Sequence, residues 1–339
     1  MTQSFRFDNF DIDHFLKHYW QKKPLLIRNP WAAWHNPLEP DELAGLALEA
    51  DIESRLIEQG SLAPSPLWTV ENGPLPESRF ADLGAHPWTL LVQAVDHYVP
   101  DVAALIAPFR FIPDWRIDDV MVSYASDGGG VGAHFDQYDV FLIQGLGKRR
   151  WQVGPKCSDQ SPLIPHDSLR LLAEFEAADE WVLEPGDMLY IPPGFAHNGV
   201  AVGDDCMTYS VGFRAPSRAE LIGYFVDDIL DTLDEDDRYT DPDLHAASDP
   251  AEIAPQAIDR LHAMILDKVG DRAAFTRWLG KYLTEPKYAD REPEAVDVAA
   301  LRAAIMEGAP LPKEASNRVS FVRGEDGKVT LFVDGDIAE

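Results

Sequence analysis

Gly186-Asp187-Met188-Leu189-Tyr190-Ile191-Pro192-Pro193-Gly194-Phe195-Ala196-His197 is the stretch on which the reading of the whole chain turns. Gly186-Asp187 reads as a turn feeding a short apolar strand, and Pro192-Pro193-Gly194 ends that strand at a rigid corner. His197 follows at once, at a rim where the corner can aim its imidazole. Upstream, His134-Phe135-Asp136 places an imidazole and a carboxylate two residues apart. Residues i and i+2 of a strand share a face, so a strand there would let His134 and Asp136 grip one metal ion together. Two histidines and one carboxylate, with coordination positions left open, form the ligand set of a non-haem Fe(II) site that activates dioxygen.

The surrounding region, from about 105 to 213, alternates apolar and polar residues in short segments broken by Gly and Pro. Candidate strands are 117–124, 140–144, 149–153, 181–183, 188–191 and 207–213. Many short strands with frequent turns predict a barrel or sandwich. Residues 1 to about 60 read as helical, with Phe15, Leu16, Tyr19 and Trp20 at helical spacing before Pro24, followed by a short buried strand over 24–27. Beyond the barrel, Ser217 and Glu220 form a capping box. Leu221, Phe225, Ile229 and Leu233 then recur beside Ile222, Val226 and Leu230. Two adjacent apolar stripes on one helix predict packing on both sides, as in a homodimer. An acidic segment over 231–243 reads as a solvated loop. Helices are expected near 253–269, 273–283 and 298–306, then two strands, 318–323 and 328–333, joined by Gly324-Glu325-Asp326-Gly327. A helix followed by a hairpin resembles a winged-helix wing.

Bulk properties narrow the classes. The 339 residues suffice for two or three domains. The formal net charge of −29 argues against direct binding to nucleic acid or anionic lipid and favours a basic protein partner. Cys157 and Cys206 are the only cysteines, which suits a reducing, cytoplasmic setting and supplies no disulfide framework. The N-terminal residues lack a signal-peptide pattern, and no apolar run is long enough to span a bilayer.

Strand parity suggests what surrounds the metal. Tyr138 shares parity with His134 and Asp136. On the strand before it, Asp119, Met121 and Ser123 share one face, opposite Val120, Val122 and Tyr124. A carboxylate, a thioether and a tyrosine make a pocket for a cationic side chain with an apolar stem. In Lys148-Arg149-Arg150-Trp151-Gln152-Val153, Trp151 and Val153 mark the apolar parity, and Arg149 shares it. Arg149 is thus the inward cation, able to hold a remote carboxylate with a planar fork. Three protein ligands leave further coordination positions open on the metal.

His134-Phe135-Asp136, Arg149 and the run from Gly186 to His197 resemble the JmjC branch of the cupin superfamily, the 2-oxoglutarate/Fe(II) oxygenases. More narrowly, 15–27 (FLKHYWQKKPLLI), 128–141 (GGGVGAHFDQYDVF) and 209–216 (YSVGFRAP) resemble the bacterial ribosomal oxygenases. That resemblance implies a mainly β double-stranded β-helix over 1–214, a helical dimerisation region over 215–284 and a winged-helix-like domain over 285–339. It also implies Fe(II), with 2-oxoglutarate and O2 as co-substrates, and hydroxylation of an arginine of a basic large-subunit (50S) ribosomal protein. By position, His134, Asp136 and His197 would be the catalytic metal ligands and Arg149 the 2-oxoglutarate partner. Asp119, Met121, Tyr138 and Ser210 would line the arginine cleft, Ser210 being implied by the resemblance alone. A JmjC oxygenase acting on another protein or a small molecule, and a non-catalytic cupin scaffold, are the alternatives.

Overall fold

Strands β1 Leu25–Ile27, β2 Ser54–Gly60, β3 Leu67–Asn72, β4 Trp88–Val92, β5 Ile117–Ala125, β6 Asp139–Lys156, β7 Asp179–Leu183, β8 Met188–Ile191 and β9 Phe195–Phe213 form one antiparallel sheet. Its order is β1-β8-β6-β9-β5-β4-β2-β3, with β7 also paired to β6. The computed structural model describes residues 4–60, 67–84, 86–288, 303, 306–307 and 314–338. The chain divides into two compact units, Met1–Ala215 with Ala304–Ser316, and Pro216–Ala303 with Asn317–Glu339.

β6 and β9 are the frame of the larger unit. They pair from Asp139↔Phe213 to Lys156↔Phe195, with irregularities after Gln144, Leu146 and Val153. On its other edge the first part of β6 pairs with β8, from Val140↔Ile191 to Ile143↔Met188. Its second part pairs with β7, from Arg149↔Leu183 to Val153↔Asp179. One strand thus serves two neighbours in succession, so the segments 140–144 and 149–153, read as separate strands in the sequence, are one bent strand. The bend runs through Gly145 and Gly147. At Gly147, φ is +58°, and a Cβ would press on the carbonyl oxygens of Asp204 and Asp205.

Both faces of β6 and β8 are covered, which explains their unbroken apolar runs. Phe141, Ile143, Met188 and Tyr190 join one cluster with Phe15, Phe109 and Phe213. Val140, Leu142, Leu189 and Ile191 join another with Trp151, Val153 and Leu183. The first cluster is aromatic and close-packed: Phe15 meets Tyr190 at 4.9 Å edge-on, and Phe109 meets Phe141 at 4.8 Å.

The segment before β2 is less helical than its periodicity predicts. Only α1 Ile12–His18 and α2 Pro40–Leu46 form, and 54–60 is a strand. Asp11 caps α1 by accepting from the His14 backbone, and Glu39 with Glu42 boxes α2. Between them Pro24, Pro30 and Pro37 interrupt the helical ladder. Two further short helices, α3 Glu77–Ala81 and α4 Pro100–Ala103, lie in the connections.

This N-terminal segment is tied to the sheet by buried polar contacts. Asp139, fully buried, accepts from Tyr190 Oη at 2.6 Å, Gln21 Nε2 at 2.9 Å and Arg116 Nη2 at 3.0 Å. Asp187 closes its own turn by accepting from Glu184 N and holds Arg28 and the Asn29 backbone.

The smaller unit contains α5 Arg218–Leu230, α6 Pro255–Val269, α7 Arg272–Thr284 and a separate sheet of β10 Val319–Arg323, β11 Val329–Val333 and β12 Asp336–Ala338. The Ser217–Glu220 capping box forms as the sequence predicts, with both reciprocal hydrogen bonds present. Phe225 packs against Phe275 and Trp278, which joins α5 to α7. Gly280 on α7 lies flush against the Phe332 ring, where any Cβ would collide, which joins α7 to β11. β12 adds a third strand to the expected hairpin. The helix expected over 298–306 lies outside the described residues, apart from isolated positions.

Replacing Asp139 with Ala strands an Arg116 guanidinium, a tyrosine hydroxyl and an amide. We expect a loss of about 3–5 kcal/mol in urea unfolding, with Asn at this position losing less.

Candidate metal centre and co-substrate pocket

His134, Asp136 and His197 come together with one ligand atom each, all within 4.8 Å of one another. Asp136 Oδ2 lies 3.6 Å from His197 Nε2 and 3.9 Å from His134 Nε2. His197 lies near the start of β9. His134 is not on a strand, contrary to the sequence reading. It makes a single bridge to His197, donating N–H to its carbonyl at 3.0 Å and accepting from its N–H at 2.8 Å. Asp136 is anchored likewise, its carbonyl accepting from Gly194 N at 2.7 Å. The Pro192-Pro193-Gly194 corner therefore sets both the last histidine and the carboxylate. Gly194 adopts φ +83°, which a residue with a side chain rarely takes.

The two imidazoles are oriented alike. His134 Nδ1 lies 2.9 Å from the Gly132 carbonyl, and His197 Nδ1 lies 3.0 Å from that of Phe195. A carbonyl at Nδ1 selects the tautomer with its proton there, which turns a bare Nε2 toward Asp136. Burial, and next the neighbouring His134, push His197 down to about 4, so its imidazole is neutral at physiological pH and its lone pair is available. Three such donors with no fourth protein ligand among the described residues fit a divalent metal with positions left for other ligands.

Arg149 stands on the inward face of β6, only 3% exposed, while Lys148 and Arg150 on either side are exposed. Nε donates to Cys206 Sγ at 3.4 Å, and Nη2 has no partner among the described residues. A thiol is a weak acceptor and carries no charge to offset the guanidinium. A buried, uncompensated cation with an unused N–H edge fits one carboxylate of a small dicarboxylic acid. Trp151 lies between the two features, with its ring 6.0 Å from that of His197 and 5.7 Å from the guanidinium carbon. Gly199 permits this placement, since a Cβ there would sit 2.6 Å from the indole.

Asp119, Met121 and Ser210 occupy one neighbourhood. Met121 pairs directly with Ser210 across β5 and β9, and the register shifts between Ile117 and Val120, so Asp119 projects from an irregularity. Asp119 is 4% exposed and its Oδ2 accepts from Ala94 N at 3.1 Å and Gln93 Nε2 at 3.4 Å. Tyr138 keeps 44% of its surface exposed. Its phenol is nonetheless pushed up, first by the protein around it and then by Asp136, Asp119 and Asp118, against an opposing Arg55. Tyr138 therefore feels the charges of both Asp136 and Asp119.

Gln93 and Cys206 escaped the sequence reading as site residues, and Trp151 was read there only as a marker of the apolar parity. Trp151 and Cys206 carried a usable signal, because both share the inward parity of residues already singled out. Gln93 carried none, since its partner Asp119 is 26 positions away.

A model of the JmjC domain matches residues 104–221. With the geometry above, that match defines a metal-binding, 2-oxoglutarate-dependent oxygenase on a cupin-type fold. The chain is 44% identical over 274 residues to the ribosomal protein uL16 3-hydroxylase of Escherichia coli (strain K12), covering 81% of this chain and 71% of that protein. It is 38% identical over 274 residues to a probable ribosomal oxygenase of Haemophilus influenzae, covering 77% and 65%. A solved structure of the Escherichia coli ribosomal oxygenase YcfD in complex with cobalt and 2-oxoglutarate aligns with TM-score 0.85 at 38% identity, over 99% of this chain and 87% of that one. The chain belongs to the ribosomal oxygenase family of JmjC proteins.

Asp136→Ala removes the carboxylate that both imidazoles face. We expect Co(II) affinity measured by equilibrium dialysis to fall by at least about a hundredfold, with the far-ultraviolet circular dichroism unchanged.

Proposed function

We propose that this protein hydroxylates an arginine side chain of ribosomal protein uL16, using Fe(II), 2-oxoglutarate and dioxygen. The observation that carries this reading is Asp119, a carboxylate buried on the strand that pairs Met121 with Ser210, whose charge acts on the Tyr138 phenol as that of Asp136 does. The name of the Escherichia coli relative, a uL16 3-hydroxylase, supports the choice of target.

In this reading His134, Asp136 and His197 hold the metal, and Arg149 holds the far carboxylate of 2-oxoglutarate through its unpartnered Nη edge. The bound metal, 2-oxoglutarate and dioxygen supply conversion of a C–H bond to C–OH, with the 2-oxo acid leaving as succinate and carbon dioxide. This chain's own residues bind and orient. Asp119 pairs with the guanidinium, while Met121, Tyr138 and Ser210 flank the stem. Val140, Leu142 and Leu189 pack in one buried apolar cluster with Trp151, beside Arg149. The net charge of −29 draws a basic ribosomal protein toward the cleft, an attraction that salt weakens.

The proposed homodimer rests on the smaller unit. Leu221 and Ile229 are partly covered and Phe225 is buried, whereas Ile222 and Leu230 on the second stripe of α5 are exposed. Ile258, Leu261, Ile265 and Leu266 of α6 are exposed as well, a row at helical spacing that a second copy would cover. The region over 285–339 is proposed as a protein-interaction module of winged-helix type. Among the described residues no helix is long and apolar enough to cross a membrane, in keeping with the proposed cytoplasmic site of action.

Incubation with uL16 should add about 16 Da, one oxygen atom, in intact-mass measurement, mapped to arginine by fragmentation. Asp119→Ala should lower this product at least about a hundredfold while leaving 2-oxoglutarate turnover without uL16 within about twofold. Arg149→Met should instead raise the 2-oxoglutarate KM by about a hundredfold in succinate release. Light scattering at micromolar concentration should return twice the chain mass, and a monomer mass would remove the dimer.

A further inference from the structure

Asp119 is held by a turn that does more than hold it. The turn follows β4 and runs from Gln93 to Asp96. Ala94, fully buried, adopts the left-handed region at φ +48°, which is uncommon for a residue with a side chain and is kept only where its surroundings demand it. That conformation aims Ala94 N–H at Asp119 Oδ2. In return Asp96 Oδ1 accepts from Val120 N at 2.8 Å. The turn and the irregular start of β5 are thus clamped by one hydrogen bond in each direction, one at Asp119 and one at Val120.

Gln93 completes the clamp, its Nε2 donating to the same Asp119 oxygen at 3.4 Å. That contact orients the amide and leaves Gln93 Oε1 shielded from water with no hydrogen-bond partner among the described residues. A buried acceptor left unmatched is costly and uncommon in a settled protein core. The acceptor left open is on an amide whose other end already holds Asp119, so a donor on a ligand paired with Asp119 would be near enough to satisfy it. A guanidinium carries N–H groups along two edges of one plane and can serve a carboxylate on one edge and an amide oxygen on the next. An ammonium is a compact point charge without that planar second edge.

We propose that Gln93 is a further substrate-contacting residue, whose Oε1 accepts from the guanidinium while its Nε2 holds Asp119. Gln93 would make the cleft selective for arginine over lysine, a task the carboxylate alone performs poorly because it attracts either cation. The inference rests on the arginine-cleft reading above and names a residue beyond it.

The test compares uL16 carrying its target arginine with the same protein carrying lysine there. Each is titrated calorimetrically under nitrogen into enzyme loaded with Co(II) and 2-oxoglutarate. Gln93→Met keeps the side-chain volume and removes both amide functions, and Gln93→Asn keeps an amide but withdraws it by one methylene. In both variants the Kd for the arginine form should rise by about tenfold or more, while that for the lysine form changes by less than about twofold. Far-ultraviolet circular dichroism and a thermal unfolding midpoint matching the parent enzyme show that the variants remain folded. Equal weakening of the two forms would show that Gln93 only positions Asp119 and would overturn the inference, as would no weakening of either. If Asp119→Ala also leaves arginine binding unchanged, the cleft reading itself falls. A loss in Asp119→Ala alone leaves that reading standing and removes Gln93.

Discussion

The reciprocal backbone hydrogen bonds between His134 and His197 are the contact on which the metal centre depends. They join two segments more than sixty residues apart at one rung, and through Gly194 the same rung reaches Asp136. Because the contact is made by backbone, the ligand spacing follows from the ladder and not from the rotamers of long side chains. Each imidazole is then turned by a carbonyl two residues before it, which leaves Nε2 as the donor atom on both rings. A site prepared in this way needs little rearrangement to accept a metal.

The ladder in turn depends on how β6 is held. In this strand of 18 residues the change of partner from β8 to β7 coincides with two register shifts in the glycine-containing segment 144–148. On one side of that segment Asp139 gathers Tyr190, Gln21 and Arg116, locking the first half of β6 to the N-terminal segment. On the other side Arg149 and Trp151 turn inward under β7. A buried carboxylate with three donors is satisfied and structural. A buried guanidinium with a spare edge is left unsatisfied by the described residues. The contrast between Asp139 and Arg149 separates a polar group completed by the fold from one the fold leaves open.

Charge is organised on two scales. Overall acidity acts at a distance and falls off with salt, so it governs encounter with a basic protein. Within the barrel the only inward carboxylates argued to meet a ligand are Asp136 and Asp119, and each is fixed by backbone contacts, Asp136 at its carbonyl and Asp119 at its side chain. Charge alone does not distinguish an ammonium from a guanidinium, whereas the geometry of fixed acceptors does.

The sequence by itself determined several strands around the site, because apolar alternation and Gly-Pro punctuation are local, but not the 195–206 half of β9 that carries His197. Met188–Ile191 emerged with the expected ends, and 117–124 gained one residue. It also determined the facing of Arg149, since parity along a strand needs no partner. The helical reading of the first 60 residues failed for the complementary reason. Phe15, Tyr19 and Trp20 are spaced like a helix, but residues beyond Pro24 take their conformation from sheet contacts that local periodicity does not encode. Tertiary structure alone decided that 140–144 and 149–153 are one bent strand, and that His134 meets His197 through a single bridge. It alone set Cys206 against Arg149 and Gln93 against Asp119. Such pairs depend on the register between distant strands and on the closure of long loops. Those follow from the summed packing of two apolar clusters across the sheet, a quantity no short window of sequence contains.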